Sequence, residues 1–395
     1  MIASCVLSAL LVLIAWIWLR LARREVSLPL WSTLEIPALP ATDAPLVSII
    51  LPCRSHLHTV VRSVRSLLRQ SYPRFEVVVV DDQSSDGTWE QLLELQASEP
   101  EMLRVLRADQ AGDGCQGIPG ALQQGVEVAR GHWLLFTQAE AYHAPDLLNR
   151  AMAYARWRGL GMLSLSPRYE CRTFWEHVCQ PLLVQYTDLM MPMARVADPT
   201  AHEAWASPAF LLIARRVYRD AGGYAGMASD ILPEFALARR VKGLEYRIEF
   251  VKAMDLLQVR LYRSFRELWD GWSTRLYGLL GARPLVVASQ AMAIWAWTVL
   301  PFAAIVPAFA FGFWGLDAVE GWWDVLLAVS TILAVVTILQ SQSVLRRVHR
   351  QNHVYAITLP LGGLWMGAAA INALVRRALT RDVRWRGRPY QMQER

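Results

Sequence analysis

The 395-residue chain is 54% hydrophobic and 19% charged, with a mean hydropathy of +0.23. A soluble protein has about 45–50% apolar and about 25% charged residues, so a disordered chain is excluded and a wholly soluble one is disfavoured. The net charge of +6 is unevenly spread: from Arg346 onward ten arginines face only Asp382 and Glu394. Basic charge beside apolar segments points to an anionic membrane surface rather than to nucleic acid. The only lysines are Lys242 and Lys252, an arginine bias that reads as genome composition. Five cysteines without C-x-x-C spacing argue against a zinc site or a disulfide framework.

Ile2–Leu19 is an uncharged apolar run of 18 residues, and Arg20, Arg23 and Arg24 come directly after it. That length just spans a bilayer. No basic stretch precedes it and no small-residue cleavage pattern succeeds it, so residues 1–24 read as an anchor rather than a signal peptide. The positive-inside rule then places the chain after Arg24 in the cytoplasm. Residues 25–44, rich in proline, read as a linker. From residue 45 to 256 short apolar runs alternate with helix-period segments: Val47–Leu51, Phe75–Val80, Leu103–Leu106, Trp133–Phe136, Met162–Leu165 and Phe210–Ile213 are predicted strands. Thr59–Gln70 is a predicted helix with Val60, Val64, Leu67 and Leu68 on one stripe. The alternation predicts an α/β domain with a mostly parallel sheet and ligands at the carboxyl ends of its strands.

Residues 257–283 read as an amphipathic segment lying at the membrane surface, with Trp269 and Trp272 at helical spacing below Arg260, Arg263 and Arg266. Residues 284–376 are predicted to form a membrane bundle, and 377–395 a basic cytoplasmic tail. Pro284–Leu316, at 33 residues, is too long for one untilted span. Trp322–Leu339 and Val354–Val375 are two further runs, the latter interrupted by Pro360, Gly362 and Gly363. Span parity is open; a re-entrant third segment would keep both basic stretches inside.

The strongest local signal is Val77–Thr88, where a buried strand runs into Asp81, Asp82, Gln83, Ser84, Ser85, Asp86 and Gly87. Acids at the carboxyl end of a strand can accept hydrogen bonds from a base or ribose, or hold a cation beside a diphosphate. Ser84, Ser85 and Asp86 are equally natural caps for the next helix.

Val47–Arg54, Leu67–Pro73 and Phe75–Thr88 together resemble the start of inverting family-2 glycosyltransferases of the GT-A fold. The resemblance extends through Ala129–Thr137, Phe174–Glu176, Gly222–Gly223, Ala236–Lys242, Val259–Ser264, Leu268–Ser273 and Trp385–Tyr390, towards the membrane-anchored branch associated with hopanoid and carotenoid glycosylation. It implies transfer of a sugar from a nucleotide diphosphate sugar, UDP-linked in the family, to a lipid-like hydroxyl at the inner membrane. Pro52, Arg54, Asp82, Gln83 and Gln138 would line the nucleotide-sugar pocket. A divalent cation, Mn²⁺ or Mg²⁺, would sit on Glu140 and His143, and Glu234 would be the base with Asp230 as a neighbouring acid. Glu176, Arg260, Tyr262, Arg263, Trp269 and Trp272 would face the acceptor or diphosphate.

The chain departs from that pattern at several chemistry-bearing positions. Ser55-His56 stands where Asn-Glu is common, and Gly117-Ile118-Pro119-Gly120 lacks the usual lysine. The DxD slot reads Gln138-Ala139-Glu140, the Glu-Asp base motif reads Pro233-Glu234, and Ser207-Pro208-Ala209 replaces Asn-Gly-Gln. His143 also reads as a structural histidine, Asp230 as a solvated helix-start residue, and Glu176 as a local cap. The rival reading is a catalytically impaired paralogue serving as a membrane binding or scaffold protein. A transporter would need polar residues in its spans, for which Gln290, Gln340 and Gln342 are the candidates.

Overall fold

A computed structural model describes residues 2–27, 31, 34–109, 117–190, 193–227, 232–279, 283–308, 321–380, 382–385 and 388–391. The chain divides into two compact units. Leu30–Glu170, Thr187–Leu261 and Arg386–Arg395 form a sheet unit, and Met1–Pro29, Cys171–Tyr186 and Tyr262–Trp385 form a helical unit.

The strands of the sheet unit are β1 (Val47–Cys53), β2 (Phe75–Asp81), β3 (Leu103–Arg107), β4 (Trp133–Phe136), β5 (Ala141–His143), β6 (Met162–Ser166), β7 (Arg168–Tyr169), β8 (Leu211–Ala214), β9 (Ile248–Lys252) and β10 (Leu257–Val259). Seven make one sheet in the order β3-β2-β1-β4-β8-β6-β9. Neighbours are parallel except around β8, which opposes both β4 and β6. A small sheet, β5-β10-β7, stands apart. The apolar runs of β1 and β2 are continuous because both faces are covered. Alternation still sorts them: Ile49, Leu51, Val77 and Val79 enter one core, while Ile50, Val78 and Val80 enter the other. The helix Val60–Leu68 buries Val60, Val64 and Leu67 as its stripe predicted.

Three polar residues, Ser48, Glu76 and Arg130, hold the start of the sheet. Glu76 on β2 is buried and accepts from the Ser48 hydroxyl at 2.6 Å, the Arg130 N–H at 2.6 Å and the Arg130 guanidinium at 2.8 and 2.9 Å. Gly131 is next in the chain, its N–H donating to Ser48 Oγ at 2.7 Å; a Cβ there would lie 2.5 Å from the Ser48 nitrogen. The Arg130-Gly131 pair is therefore a clamp on the β1–β2–β4 start rather than part of a ligand site. The segment read as a linker is also docked. Trp31 is buried edge-on to Tyr154 at 5.8 Å between ring centroids, and Arg150 donates to the carbonyls of Trp31 and Leu34. Leu34, Ile36 and Leu39 pack on the same core.

In the helical unit, Ile2–Glu25, Val325–Val348 and His353–Arg376 are each long and apolar enough to cross a membrane. Pro284–Thr298 and Leu300–Ala308 form a further pair bent by 46°. Val6, Val12, Leu13, Trp16, Val329, Ile332, Leu333 and Val336 remain exposed on two of these helices, as lipid-facing side chains would be. The break thus falls in the first C-terminal run and not, as a re-entrant third segment would require, in the last. Pro360 is the second residue of the continuous Leu359–Thr380 helix, where a missing N–H costs nothing. Gly363 and Gly367 lie so close to Thr298 and Trp295 that neither position has room for a Cβ.

The Phe265–Leu279 helix buries one side and exposes the other. Leu268, Trp272 and Leu276 are buried, Trp269 packs edge-on to Trp365 at 5.9 Å, and Trp272 Nε1 donates to Gln180 at 3.4 Å. Phe265 remains exposed and Trp269 half-buried on the same helix.

Burial would raise the Glu76 pKa, but bonds from Ser48 and from the Arg130 backbone and side chain outweigh it and hold the carboxyl below its ordinary range. Its contribution is therefore present above the unfolded value of about 4.3 and lost as pH falls through the lower folded value. Glu76→Gln is expected to cost about 1–2 kcal/mol at neutral pH and to flatten the acid limb of the stability curve. Thermal unfolding of the detergent-solubilised chain between neutral and acid pH measures both; an unchanged acid limb would refute the clamp.

Candidate active site

The chain builds β1, β2 and β3 outward and then crosses to β4 on the other side of β1. The crevice at that reversal, outside the carboxyl ends of β1, β2 and β4, is where open α/β sheets bind ligands. Parallel register brings β1 and β2 to an end level with one another, Cys53 opposite Asp81. The loops leaving these two strands are stitched together by side-chain oxygens of one and backbone N–H groups of the other. Ser55 N–H donates to Ser84 Oγ at 2.8 Å, His56 N–H to Thr88 Oγ1 at 3.0 Å, and Leu57 N–H to Asp86 Oδ2 at 3.1 Å. Asp86 also takes the Thr88 N–H and hydroxyl, capping the Thr88–Ser98 helix. Burial would raise its pKa, yet the Thr88 hydroxyl and the Leu57 and Thr88 N–H groups together hold it below the ordinary aspartate range.

The tandem acids have separate duties. Asp81 is fully buried and accepts from the Ser84 hydroxyl and the Ser84 N–H, so it shapes the turn. Its neighbour Cys53 donates to it at 3.7 Å; burial first, then the Asp81 charge, pushes that thiol well up and leaves it inert. Asp82 meets Arg54, whose Nη1 lies 3.3 Å from both the Asp82 carboxylate and its carbonyl. Gln83 adopts a left-handed backbone at φ 55° and donates to the Ala108 carbonyl at 3.4 Å. Pro52 is the buried penultimate residue of β1.

After β4, Thr137-Gln138-Ala139-Glu140 turns back into β5. The Gln138 carbonyl accepts from Ala141 N–H at 3.1 Å and from Ser63 Oγ at 3.4 Å, leaving a half-buried amide. Glu140 Oε1 lies 3.1 Å from His56 Nε2. His56 Nδ1 accepts the Arg54 N–H at 3.0 Å, so the ring proton is on Nε2 and is donated to Glu140. Sequence reasoning marks His56 only as a departure from the family pattern and not as a site residue, because its partner lies in a different loop.

His143 does not join Glu140 as a metal donor. It is buried, with Nε2 3.0 Å from Thr137 Oγ1 and Nδ1 3.4 Å from Ser66 Oγ. Burial drives its pKa down to about 3, only partly opposed by the Ala209 carbonyl, so it remains a neutral core residue. Glu234 stands half-buried in the first turn of the Pro233–Gly243 helix, where its charge reaches the buried Tyr224 hydroxyl. Asp230 lies outside the described residues.

In the helical unit Glu176 is a cap: its carboxylate accepts the Arg172 N–H at 2.6 Å while its own N–H donates to Thr173 Oγ1 at 3.4 Å. The same arrangement recurs at Ser264 and Glu267, where Arg263 contributes its backbone N–H at 2.9 Å. Tyr262 is buried against Gly271, a position with no room for a side chain. Glu176, Tyr262 and Trp272 thereby each make structural contacts within the helical unit. Arg260 is half-buried just after β10 in the sheet unit.

A family model described as glycosyl transferase family 2 matches residues 48–193, which carry β1, β2, β4 and the Arg54, Asp82 and Glu140 cluster. Residues 48–193 form a glycosyl transferase family 2 domain. The chain is 33% identical over 98 residues to the UDP-Glc:alpha-D-GlcNAc-diphosphoundecaprenol beta-1,3-glucosyltransferase WfgD of Escherichia coli, covering 25% of this chain and 36% of that one. It is 35% identical over 106 residues to beta-monoglucosyldiacylglycerol synthase of Trichormus variabilis, covering 26% and 22%. It is 23% identical over 235 residues to 4,4'-diaponeurosporenoate glycosyltransferase of Staphylococcus haemolyticus, covering 58% and 60%. The chain therefore spans under two thirds of the length of each of these relatives. A mannosyltransferase from Pyrobaculum calidifontis, solved with GDP-Man and Mn²⁺, superposes with a TM-score of 0.52 at 18% identity, covering 95% of this chain and 98% of that one. The shared architecture is the GT-A fold expected from the sequence.

The family 2 domain offers a cation one carboxylate, Glu140, and one amide oxygen, Gln138. Mg²⁺ and Mn²⁺ take oxygen ligands and are commonly bound through one or two carboxylates, with substrate phosphates and water filling the rest. The slot fits a cation on those terms, provided the nucleotide's diphosphate supplies further oxygens and His56 releases Glu140. Removing that competition with His56→Ala is expected to tighten Mn²⁺-dependent UDP binding by about ten- to a hundredfold, the worth of a hydrogen bond to a charged group. Calorimetric titration of the purified chain measures this, and weaker binding in the variant would mean that His56 assists the site instead.

Proposed function

We propose that the chain is an inverting glycosyltransferase of the cytoplasmic membrane. It moves a sugar from a nucleotide diphosphate sugar, UDP-linked, to a hydroxyl of a lipid-like acceptor of the hopanoid, carotenoid or related isoprenoid class. The observation that carries the reading is the Arg54–Asp82 pair at the switch point with Glu140 beside it, in a chain that also has membrane-length apolar helices. Support for the acceptor class comes from relatives named for undecaprenol-linked, diacylglycerol and diaponeurosporenoate chemistry.

In this reading Asp82 accepts hydrogen bonds from the base or ribose of the nucleotide, and Arg54 holds that carboxylate in place while offering its remaining N–H groups to phosphate. Pro52, Gln83 and Gln138 shape the pocket. A divalent cation held by Glu140 neutralises the charge of the departing diphosphate when bound. Glu234 takes the proton of the acceptor hydroxyl, whose oxygen attacks the anomeric carbon opposite the leaving nucleotide. A single displacement of this kind inverts the anomeric configuration. Asp230 remains the candidate second acid on the approach to the Glu234 helix.

Titration of the detergent-purified chain with UDP and UDP-sugars, in Mn²⁺ and in EDTA, tests the reading. Micromolar, cation-dependent binding is expected, lost by at least about tenfold in Asp82→Ala, which removes hydrogen bonds to a charged group. Glu140→Ala should abolish the cation dependence while leaving a weaker metal-independent component. Binding of no nucleotide under any condition would overturn the transferase and favour the scaffold reading, to which Gln138 in the acidic slot and the engaged Glu140 lend their weight.

A further inference from the structure

The helical unit contains a buried positive charge that the transfer reaction does not use. Arg346 lies in the last turn of the Gly321–Val348 helix, at the end of the apolar span Val325–Val348, and is 1% exposed. Its Nη1 donates to the His177 carbonyl at 2.9 Å. That carbonyl is available because the residue four positions on is Pro181, inside the Phe174–Met190 helix, which has no N–H to return. One guanidinium donor is thus spent on repairing a helix.

The rest of the seam is rich in unpaired buried donors. Arg346 Nε is buried and has no partner, and among the described residues the guanidinium meets no carboxylate. Gln342 Nε2 donates to Gln185 Oε1 at 2.8 Å, which leaves the buried Gln185 Nε2 unpaired. Gln180 accepts from Trp272, and its Nε2 is unpaired as well. Ser341, beside Gln342, has an unpaired buried hydroxyl. Eight helical residues separate His177 from Gln185, about 12 Å at 1.5 Å per residue.

A buried cation with unpaired neutral donors calls for an anion rich in acceptor oxygens. A carboxylate's two oxygens take fewer of these donors than a phosphate's. The site sits where a span ends, which is the depth of lipid headgroups. We propose that this seam binds the phosphate of a membrane lipid, with Arg346 supplying the charge and Gln180, one turn from His177, a neutral donor. The proposal is independent of the transferase reading, since it concerns residues outside the family 2 site and does not require the lipid to be an acceptor.

The test is binding of dioctanoyl phosphatidic acid to the full detergent-solubilised chain, monitored by tryptophan fluorescence and by the shift in unfolding temperature. Dioctanoylglycerol, octanoate and inorganic phosphate are the comparison ligands. Saturable binding of phosphatidic acid is expected, at least about tenfold tighter than any of the three, and weakened about tenfold or more in Arg346→Met, the worth of charge-assisted hydrogen bonds. Because Arg346 also repairs the Pro181 break, Gln180→Met provides a second variant. It leaves the Arg346–His177 bond in place, and it should bind phosphatidic acid severalfold more weakly with a smaller ligand-induced rise in unfolding temperature than wild type. Equal binding by wild type and both variants, or binding of dioctanoylglycerol or octanoate as tight as that of phosphatidic acid, would overturn the proposal. Inorganic phosphate binding equally well would overturn a lipid as its source.

Discussion

The site depends on the level ending of two parallel strands. Because Cys53 stands opposite Asp81, the loops that leave β1 and β2 run side by side, each with backbone N–H groups that no strand can satisfy. Ser84, Asp86 and Thr88 supply oxygens to the N–H groups of residues 55, 57 and 56, and the two loops become one rigid rim. Arg54 and Asp82 are held on that rim, and His56 is aimed across it towards the loop after β4. The turn-forming cluster after β2 is therefore neither only a helix cap nor only a ligand site. It is the frame in which the ligand-facing residues sit.

This arrangement explains how several altered motif positions coexist with an intact fold. The frame uses Asp81, Ser84, Asp86 and Thr88, all present. Glu76, Arg130 and Gly131 hold the opposite end of the same strands, also intact. Two of the changes lie on loops at the crevice: Gln138 in the slot after β4, and His56 in the loop after β1. His56 and Glu140 form a pair in which an imidazole donates to the slot's one acid. Any cation bound there must first compete with that bond, so nucleotide and cation binding should be strongly coupled.

Much of the fold is legible in the sequence because it rests on local signals. The runs at residues 47–51, 75–80 and 133–136 are apolar enough to announce buried strands, and the structure extends each by at most two residues. The site is less legible, because its distinctions are made by long-range contacts. Nothing local separates Asp81 from Asp82; burial against Ser84 and exposure to Arg54 do. The spacing of His143 from Glu140 suggests a shared ligand set, but the turn at 137–140 and strand β5 carry the imidazole into the core instead. Glu176 and Glu267 carry a readable signal, since Thr173-x-x-Glu176 and Ser264-x-x-Glu267 are both capping boxes. The strand Ile248–Lys252 has no such signal; Glu249 and Lys252 interrupt its apolar character, and Glu249 is satisfied only by the distant Tyr154 and Arg158.

The helical unit obeys a stricter rule than the sheet unit. Water can satisfy a loose carbonyl in a soluble domain, whereas in an apolar environment a side chain must do so. Pro181 releases one such carbonyl, and Arg346 is the residue that answers it. A serine or threonine hydroxyl would have sufficed for that bond alone. An arginine brings a charge and further donors into the same seam, and Gln180 and Gln185 add amide N–H groups left unpaired within the protein. Repair of the helix thus accounts for one N–H of the guanidinium and for none of the glutamines. The unpaired buried donors distinguish this seam from a purely structural contact, and an anionic headgroup is the chemistry that would satisfy them.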